Sequence, residues 1–287
     1  MKITYEGMLI SSTAKLAASG SLTPALDARL LLQHELKCEH ADIVKSYHEE
    51  LKSSNIDHFQ SLIKMRISGV PVHRIIGQRD FYGLELIISP ETLEPRPETE
   101  RLIDLVLHYL YVQKIECNQL RFADLGTGTG AIGLAILSQL PNSTCLATDI
   151  LKGTLNIAKK NAEILGFSNR LSVSLGSWYD AVDGKFDFLV SNPPYISGGE
   201  FRDLSKEVLE HDPFIALYGG KDGLTAYRRI LKNAFRFLKP KGFVALEIGH
   251  RQRKSVIEIA NKFSLLLADS FKDLERKDRC LLFTLKE

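Results

Sequence analysis

Two consecutive prolines, Pro193 and Pro194, follow closely on Phe186-Asp187-Phe188-Leu189-Val190, a short apolar run with the character of a buried strand. Proline lacks the N–H that a ladder needs and fixes φ, so a strand here has to stop at Asn192. The residues that follow then stand rigidly at its carboxyl end, which is where open α/β sheets bind ligands. A side-chain amide (Asn192), carbonyls without a competing N–H (Pro193, Pro194) and an aromatic ring (Tyr195) are displayed together. That set suits a planar, hydrogen-bonding group such as an amide or a nucleobase amine.

The surrounding pattern alternates strand and helix. Strands are expected at Leu120 to Ala123, Thr144 to Thr148, Leu171 to Leu175, the run before Asn192, and Phe243 to Ile248 after a Pro240-Lys241-Gly242 turn. Helices are expected to about Leu140, from about Lys152 to Leu165, from Leu224 to Leu238 and near Gln252 to Lys262. Ser264 to Ala268 and Cys280 to Leu285 are strand-like, with no room between them for a crossover helix, so they should pair antiparallel. The fold class is therefore α/β, a mostly parallel doubly wound sheet with an antiparallel strand at or near its edge.

Residues 1–75 show no alternation that would form a sheet and are expected to be a small helical domain. Thr23 and Pro24 mark one helix start, and a helix over Ser54 to Ser68 is closed by Gly69. Such a domain either caps the sheet domain or recognises a macromolecular partner. Residues 76–94, punctuated by Gly77, Gly83 and Pro90, are expected to be a β-hairpin linker. The α/β domain then occupies 95–287. Its first segment, Pro95-Arg96-Pro97-Glu98-Thr99-Glu100, suits a helix first turn, where capping and solvation account for Arg96, Glu98 and Glu100.

Between the first strand and its helix stands Asp124-Leu125-Gly126-Thr127-Gly128-Thr129-Gly130. Its glycines allow a tight turn and close approach of a ligand. Asp149, at the end of the next strand, can accept from both hydroxyls of a ribose. Gly126-x-Gly128-x-x-Ala131 also fits a dinucleotide fingerprint. Against that stand Asp124, which would meet a cationic portion of a ligand, and the antiparallel final strands, which do not continue a second mononucleotide half.

The net charge of +2 gives no global basic field for nucleic acid. Basic clusters at Arg228-Arg229, Lys239 with Lys241, and Arg251 to Lys254 read as solvated faces and turns. Cys38, Cys117, Cys145 and Cys280 are widely spaced, which argues against a metal site and fits a reducing cytosol. No signal peptide and no membrane-spanning stretch is expected, and the chain reads as cytoplasmic and monomeric.

Taken together, the motifs resemble those of class I S-adenosylmethionine-dependent methyltransferases. More closely they resemble the release factor glutamine methyltransferases, the HemK/PrmC-type family. The resemblance is carried by Pro95-Arg-Pro-Glu-Thr-Glu100, Asp124-Leu-Gly-Thr-Gly-Thr-Gly130, Ser191-Asn-Pro-Pro-Tyr195, Gly219-Gly-Lys-Asp-Gly-Leu224 and Leu246-Glu-Ile-Gly249. It implies S-adenosylmethionine as cofactor, with Asp124 and Gly126, Thr127, Gly128, Thr129 and Gly130 along its methionine and ribose portion. Asp149 would hold the ribose hydroxyls, Trp178 would pack near the adenine, and Asn192 would lie close to the cofactor. Asn192, Pro193, Pro194 and Tyr195 would bind the glutamine of the Gly-Gly-Gln motif in peptide-chain release factors, with Asn192, Pro193 and Tyr195 catalytic. Two positions depart from the family: Ser177 stands where an aspartate is common and Glu94 where an apolar residue is usual. An amino methyltransferase acting on adenine in nucleic acid would use the same tetrapeptide and is the alternative.

Overall fold

The computed structural model describes residues 3–116 and 119–286. The chain separates into two compact units, Met1–Gln78 and Arg79–Glu287. In the first, five helices are formed: α1 (Tyr5–Ala18), α2 (Pro24–Leu36), α3 (His40–Lys45), α4 (Ser53–Ile67) and α5 (Val72–Ile76). Leu31 and Leu32 of α2 bury against Phe59 and Ile63 of α4. Pro24 opens α2 as expected, but Thr23 does not cap it. Its hydroxyl donates to Asp27 Oδ1 at 2.8 Å, and Asp27 is itself buried and paired with Arg66 Nε at 2.7 Å.

A hairpin of β1 (Gln78–Phe81) and β2 (Leu84–Ile87) follows, and from Arg79 onward it belongs to the second unit. The hairpin is anchored in this unit's core rather than strung out as a free connector. Phe81 and Leu86 are buried in the cluster beneath the sheet. Ile87 gives its N–H to Asn161 Oδ1 at 2.8 Å and accepts from Asn161 Nδ2 at 3.0 Å. Tyr82 N donates to Glu100 Oε1 at 2.8 Å, so Glu100 ties the hairpin down instead of serving solvation. Arg96 departs from the same expectation, forming an ion pair with Asp212.

After a short 3₁₀ turn (Pro97–Thr99) come α6 (Glu100–Val112), β3 (Arg121–Leu125), α7 (Ala131–Gln139), β4 (Thr144–Asp149), α8 (Lys152–Ile164), β5 (Leu171–Leu175) and β6 (Phe186–Ser191). Two short helices, α9 (Lys206–His211) and α10 (Phe214–Leu217), precede α11 (Thr225–Phe237), β7 (Leu238–Glu247), α12 (Arg253–Lys262), β8 (Leu265–Lys272) and β9 (Asp278–Leu285). The seven-stranded sheet runs β5-β4-β3-β6-β7-β9-β8, with β9 antiparallel to both neighbours and the other pairs parallel. The expected single antiparallel strand is thus the last one, next to the edge.

Strand alternation sends successive side chains to opposite faces, and each face has its own core. Phe122, Phe188 and Phe243, from β3, β6 and β7, are in register on one face. They stack at centroid spacings of 4.8 and 5.0 Å beneath α6 and α7. Ala123, Leu125, Leu189 and Val244 face the other way, onto α11 and α12.

One boundary differs from expectation. Pro240-Lys241-Gly242 does not precede β7 but lies within it, because Leu238 already pairs with Phe186 and is buried. The register shifts there and Lys241 takes φ 64, so the proline sits at an irregularity where no ladder N–H is required. Cys145 and Cys280 are buried free thiols, Cys38 is a partly buried one, and Cys117 lies outside the described residues. Among the described residues, no helix is long and apolar enough to cross a membrane.

The Asn161 bridge gives a direct test of how the hairpin is held. Asn161→Leu keeps the volume but strands Ile87 N–H, Ile87 C=O and the Thr129 carbonyl, which accepts from Asn161 Nδ2 at 2.9 Å. Urea denaturation should show a loss of about 3 kcal/mol, since each buried orphan costs roughly 1–3 kcal/mol before relaxation.

Candidate active site

β3 and β6 lie side by side, while the chain leaves β3 toward β4 on one side and β6 toward β7 on the other. The strand order reverses between them, and a crevice opens at their carboxyl ends. Ser191 Oγ donates to the Leu125 carbonyl at 2.5 Å and holds the two strand ends together. A cavity of about 340 Å³ opens here, lined by Gly126, Gly128, Asp149, Trp178, Asn192 and Pro194 among others. The two motifs that the sequence places 60 residues and more apart therefore share one wall.

The glycine turn is built with positive φ at Gly126, Gly128 and Gly130. At Gly130 a second constraint adds to φ 84: an added Cβ would sit 3.1 Å from Leu134 Cδ1 and 3.3 Å from Ala158 Cβ. The loop's amides are largely consumed within the protein. Gly126 N and Thr127 N both donate to the Thr148 carbonyl at 2.9 Å, Gly128 N to Asp149 Oδ2 at 3.1 Å and Gly130 N to the Thr127 carbonyl at 3.0 Å. A pyrophosphate cradle needs such amides free. The geometry disfavours the dinucleotide reading and fits a ligand bearing hydroxyls and positive charge.

Asp124 is fully buried beneath the loop and does not line the cavity. Oδ2 accepts from Thr127 Oγ1 at 2.7 Å and Gly133 N at 3.1 Å, while Oδ1 has no partner among the described residues. Burial raises its pKa to about 6, against the lowering effect of those two bonds. Thr127 and Thr129 are buried as well and shape the loop from behind. Asp149 stands at the cavity with Oδ1 accepting from Leu151 N at 3.1 Å, its pKa raised chiefly by burial and held back by backbone N–H bonds. Trp178 adopts φ 54, and its ring lies 3.6 Å from where a Cβ on Gly126 would be. Ser177 also lines the cavity.

Asn192 Nδ2 donates to Thr99 Oγ1 at 3.1 Å, and Thr99 Oγ1 donates to Glu247 Oε2 at 2.6 Å. Tyr195 OH donates to the other oxygen, Oε1, at 3.4 Å. Pro193 is buried and Tyr195 half-buried, and neither is among the cavity-lining residues. Their backbone is clamped from behind. Gln252 Nε2 donates to the Tyr195 carbonyl at 2.9 Å, and a Cβ on Gly219 would fall 2.8 Å from both Pro194 O and Tyr195 Cα. A Cβ on Gly249 would meet the Tyr195 ring at 3.3 Å. Thr99, Glu247 and Gln252 were not singled out in the sequence. Thr99 and Glu247 lie within the Pro95–Glu100 and Leu246–Gly249 motifs, which carried a resemblance but no assigned role for these two; Gln252 lies outside both. Glu94, the family departure, is buried and paired with Arg79 Nη1 at 2.9 Å, so its charge is compensated.

Two family models match the chain: the PrmC N-terminal domain over residues 8–77 and the methyltransferase small domain over 104–216. A release factor glutamine methyltransferase of Agrobacterium fabrum is 40% identical, across 98% of this chain and 97% of that protein. That breadth decides the family. The chain belongs to the release factor glutamine methyltransferases. Another relative of that description, from Bradyrhizobium diazoefficiens, is 37% identical over 92% of this chain and 90% of its own length. A bifunctional methyltransferase of Rickettsia conorii is 34% identical over 99% of this chain, which spans 58% of that longer protein. Among solved structures, a methyltransferase from Pyrococcus furiosus has TM-score 0.51 at 22% identity, covering 80% of this chain and 100% of that one. The hMettl16 catalytic domain, in complex with MAT2A 3′UTR hairpin 6, has TM-score 0.55 at 17% identity, covering 82% and 83%. At those identities they establish the shared sheet architecture only.

The buried carboxyls make stability depend on pH in a defined sense. Glu247 is raised to about 7 and Asp124 to about 6, both by burial. A raised carboxyl keeps its proton in the folded state where the unfolded chain has lost it, so stability falls as pH rises from the ordinary carboxylate range through the folded value. Each group should cost on the order of 3 kcal/mol across that window. Denaturant unfolding from pH 4.5 to 7.5 should show this decline, with a shallower slope in Glu247→Gln.

Proposed function

We propose that this chain transfers a methyl group from S-adenosylmethionine to the side-chain amide nitrogen of the glutamine in the Gly-Gly-Gln motif of peptide-chain release factors. The observation that carries the reading is the common cavity wall. Asn192 and Pro194 border the same space as Gly126, Gly128 and Asp149, so an amide held by the first set lies beside a ligand held by the second. Family membership supplies the substrate class.

The donor set fits the cofactor. Asp149 offers carboxylate lone pairs to ribose hydroxyls, and the Trp178 ring gives the adenine a flat neighbour. Gly126 and Gly128 let the ligand approach the backbone, and Asp124, buried under the loop with Oδ1 lacking a partner among the described residues, would direct negative charge toward a cationic amino-acid portion. When bound, S-adenosylmethionine supplies an electrophilic methyl group on a sulfonium.

The residues' task is to present a weak nucleophile. An amide nitrogen has its lone pair delocalised into the carbonyl. Asn192 Oδ1 and the Pro193 carbonyl are acceptors by their chemistry, and neither is engaged by another described residue. They would take the two amide N–H bonds and aim the nitrogen at the methyl group. Tyr195 would stack on the flat amide and face the sulfonium, a contact worth about 0.5–2 kcal/mol. Alignment can lower the barrier by roughly 7–11 kcal/mol, so no strong base is required. The nitrogen's proton leaves after transfer, once the nitrogen has become acidic.

Mass spectrometry of a purified release factor after incubation with enzyme and S-adenosylmethionine tests the reading. A gain of one methyl on the Gly-Gly-Gln glutamine is expected, and methylation of adenine in oligonucleotides with none on the release factor would overturn it. Asn192→Ala should lower the transfer rate at least about 100-fold, the scale of one lost preorganised polar contact at a reacting centre. Cofactor affinity by calorimetry should stay nearly unchanged. Tyr195→Phe should keep more activity than Tyr195→Ala in a radiolabelled methyl-transfer assay, since the ring contributes more than the hydroxyl.

A further inference from the structure

Asn192 is useful as an acceptor only if its amide is turned the right way. Oxygen and nitrogen of a carboxamide are close to isosteric, so shape alone does not choose between the two orientations. Something must hold Nδ2 inward and leave Oδ1 toward the cavity. The hydrogen-bond chain behind Asn192 does this by its polarity. An ionised carboxylate only accepts. Thr99 Oγ1, 2.6 Å from Glu247 Oε2, therefore spends its one proton on Glu247 and can only accept from Asn192, whose Nδ2 lies at 3.1 Å. The second carboxylate oxygen takes the Tyr195 hydroxyl at 3.4 Å.

We propose that Glu247 is a positioning residue for the methyl-transfer site, fixing through Thr99 which end of the Asn192 amide meets the substrate and holding Tyr195 through its hydroxyl. This rests on the function proposed above for Asn192. A protonated Glu247 can donate to Thr99, freeing the threonine proton for Asn192 Oδ1. The chain then reverses and the cavity is offered an NH₂ group, which repels the substrate amide's own N–H bonds.

The surroundings of Glu247 place its charge within reach of such a reversal. It is 1% exposed. Glu98 disfavours its charge, while Arg279 from β9, Thr99 and Tyr195 favour it; burial outweighs these and raises the pKa to about 7. Tyr227 of α11 donates to the Glu247 carbonyl at 3.2 Å, and Cys280 lies opposite in the ladder with its thiol pKa raised by burial and by Glu247. Arg279 is itself held by Asp273 at 3.0 Å, so it does not neutralise Glu247 as a dedicated partner.

The test reads the Asn192 side chain directly. In ¹⁵N-labelled protein, its amide proton pair is identified by its disappearance in Asn192→Ala. In wild type it should shift with pH around a midpoint near 7. Glu247→Gln and Thr99→Val should abolish that titration, and Thr99→Ser should preserve it. Thr99 makes no capping bond to α6, so Thr99→Val removes the relay with little else, and it serves alone should Glu247→Gln fail to fold. In the methyl-transfer assay both broken-relay variants should lose about tenfold or more in kcat, one hydrogen bond's worth, with cofactor affinity unchanged. The wild-type acid limb below about pH 7 should vanish in Glu247→Gln. An Asn192 amide that does not titrate, or titrates equally in Glu247→Gln, overturns the proposal whatever the methyl acceptor. A titrating amide in an enzyme that leaves release factors unmodified overturns the proposed substrate instead.

Discussion

Everything at the site depends on the parallel pairing of β3 with β6. Asp124 lies opposite Val190 in that ladder, so the glycine turn and the Asn-Pro-Pro-Tyr segment leave the sheet at the same level. A shift by one residue would turn every side chain of one strand to the wrong face. Three stacked phenylalanines across β3, β6 and β7 resist it on one side of the sheet, and the Ser191-to-Leu125 bond resists it at the strand ends. The register that aligns a hydrophobic core thereby also sets the spacing between the two segments that share the cavity wall.

The site also retains two fully buried carboxyls that no core would choose for stability. Both have pKa values pushed up by burial, and neither has a dedicated ion-pair partner among the described residues. A half-satisfied buried acid is costly, and an apolar residue of like volume would serve packing better. Their positions explain their presence. Asp124 fastens the turn from below through Thr127 and Gly133, and Glu247 fastens Asn192 and Tyr195 from behind. Of the groups they hold, Asn192 faces the cavity, while neither carboxyl faces it itself. Departures from packing logic are expected where function requires a fixed polar geometry.

The sheet and its helices were legible because their signals are local. Period-2 runs, Gly166 after α8 and the prolines after β6 each mark an element with few residues. Most strand limits fell within one or two positions. Irregularity carried no such local mark: the Pro240–Gly242 insertion looked like a turn because only the distant pairing of Leu238 with Phe186 makes it part of a strand. The same holds at the site. Gly126, Gly128, Asp149 and Asn192 declare themselves by type and place. Thr99 and Glu247 are an ordinary threonine and glutamate until 148 residues of separation are closed by the fold. The role of Asp124 was half legible, since its charge pointed to the turn but its burial did not follow from sequence.

A shared sheet does not decide between an amide and an adenine as the methyl acceptor. By their chemistry the tetrapeptide's acceptors suit either group, and a fold neighbour at 17% identity is a domain solved with a 3′UTR hairpin. What differs between such proteins is the material around the grip. Here the segment between β6 and α11 supplies Ile215 and Tyr218 to the cavity wall and carries an aromatic group in which the Phe214 ring centroid lies 5.0 Å from those of both Phe201 and Tyr218. No excess of positive charge accompanies it, as a phosphate backbone would demand: besides Asp212, which pairs with Arg96, the acidic residues Glu200, Asp203, Glu207, Glu210 and Asp222 outnumber Arg202, Lys206 and Lys221 in the same segment. A cavity wall bordered by such a segment suits a protein loop better than a polyanion, which agrees with the family the whole chain belongs to.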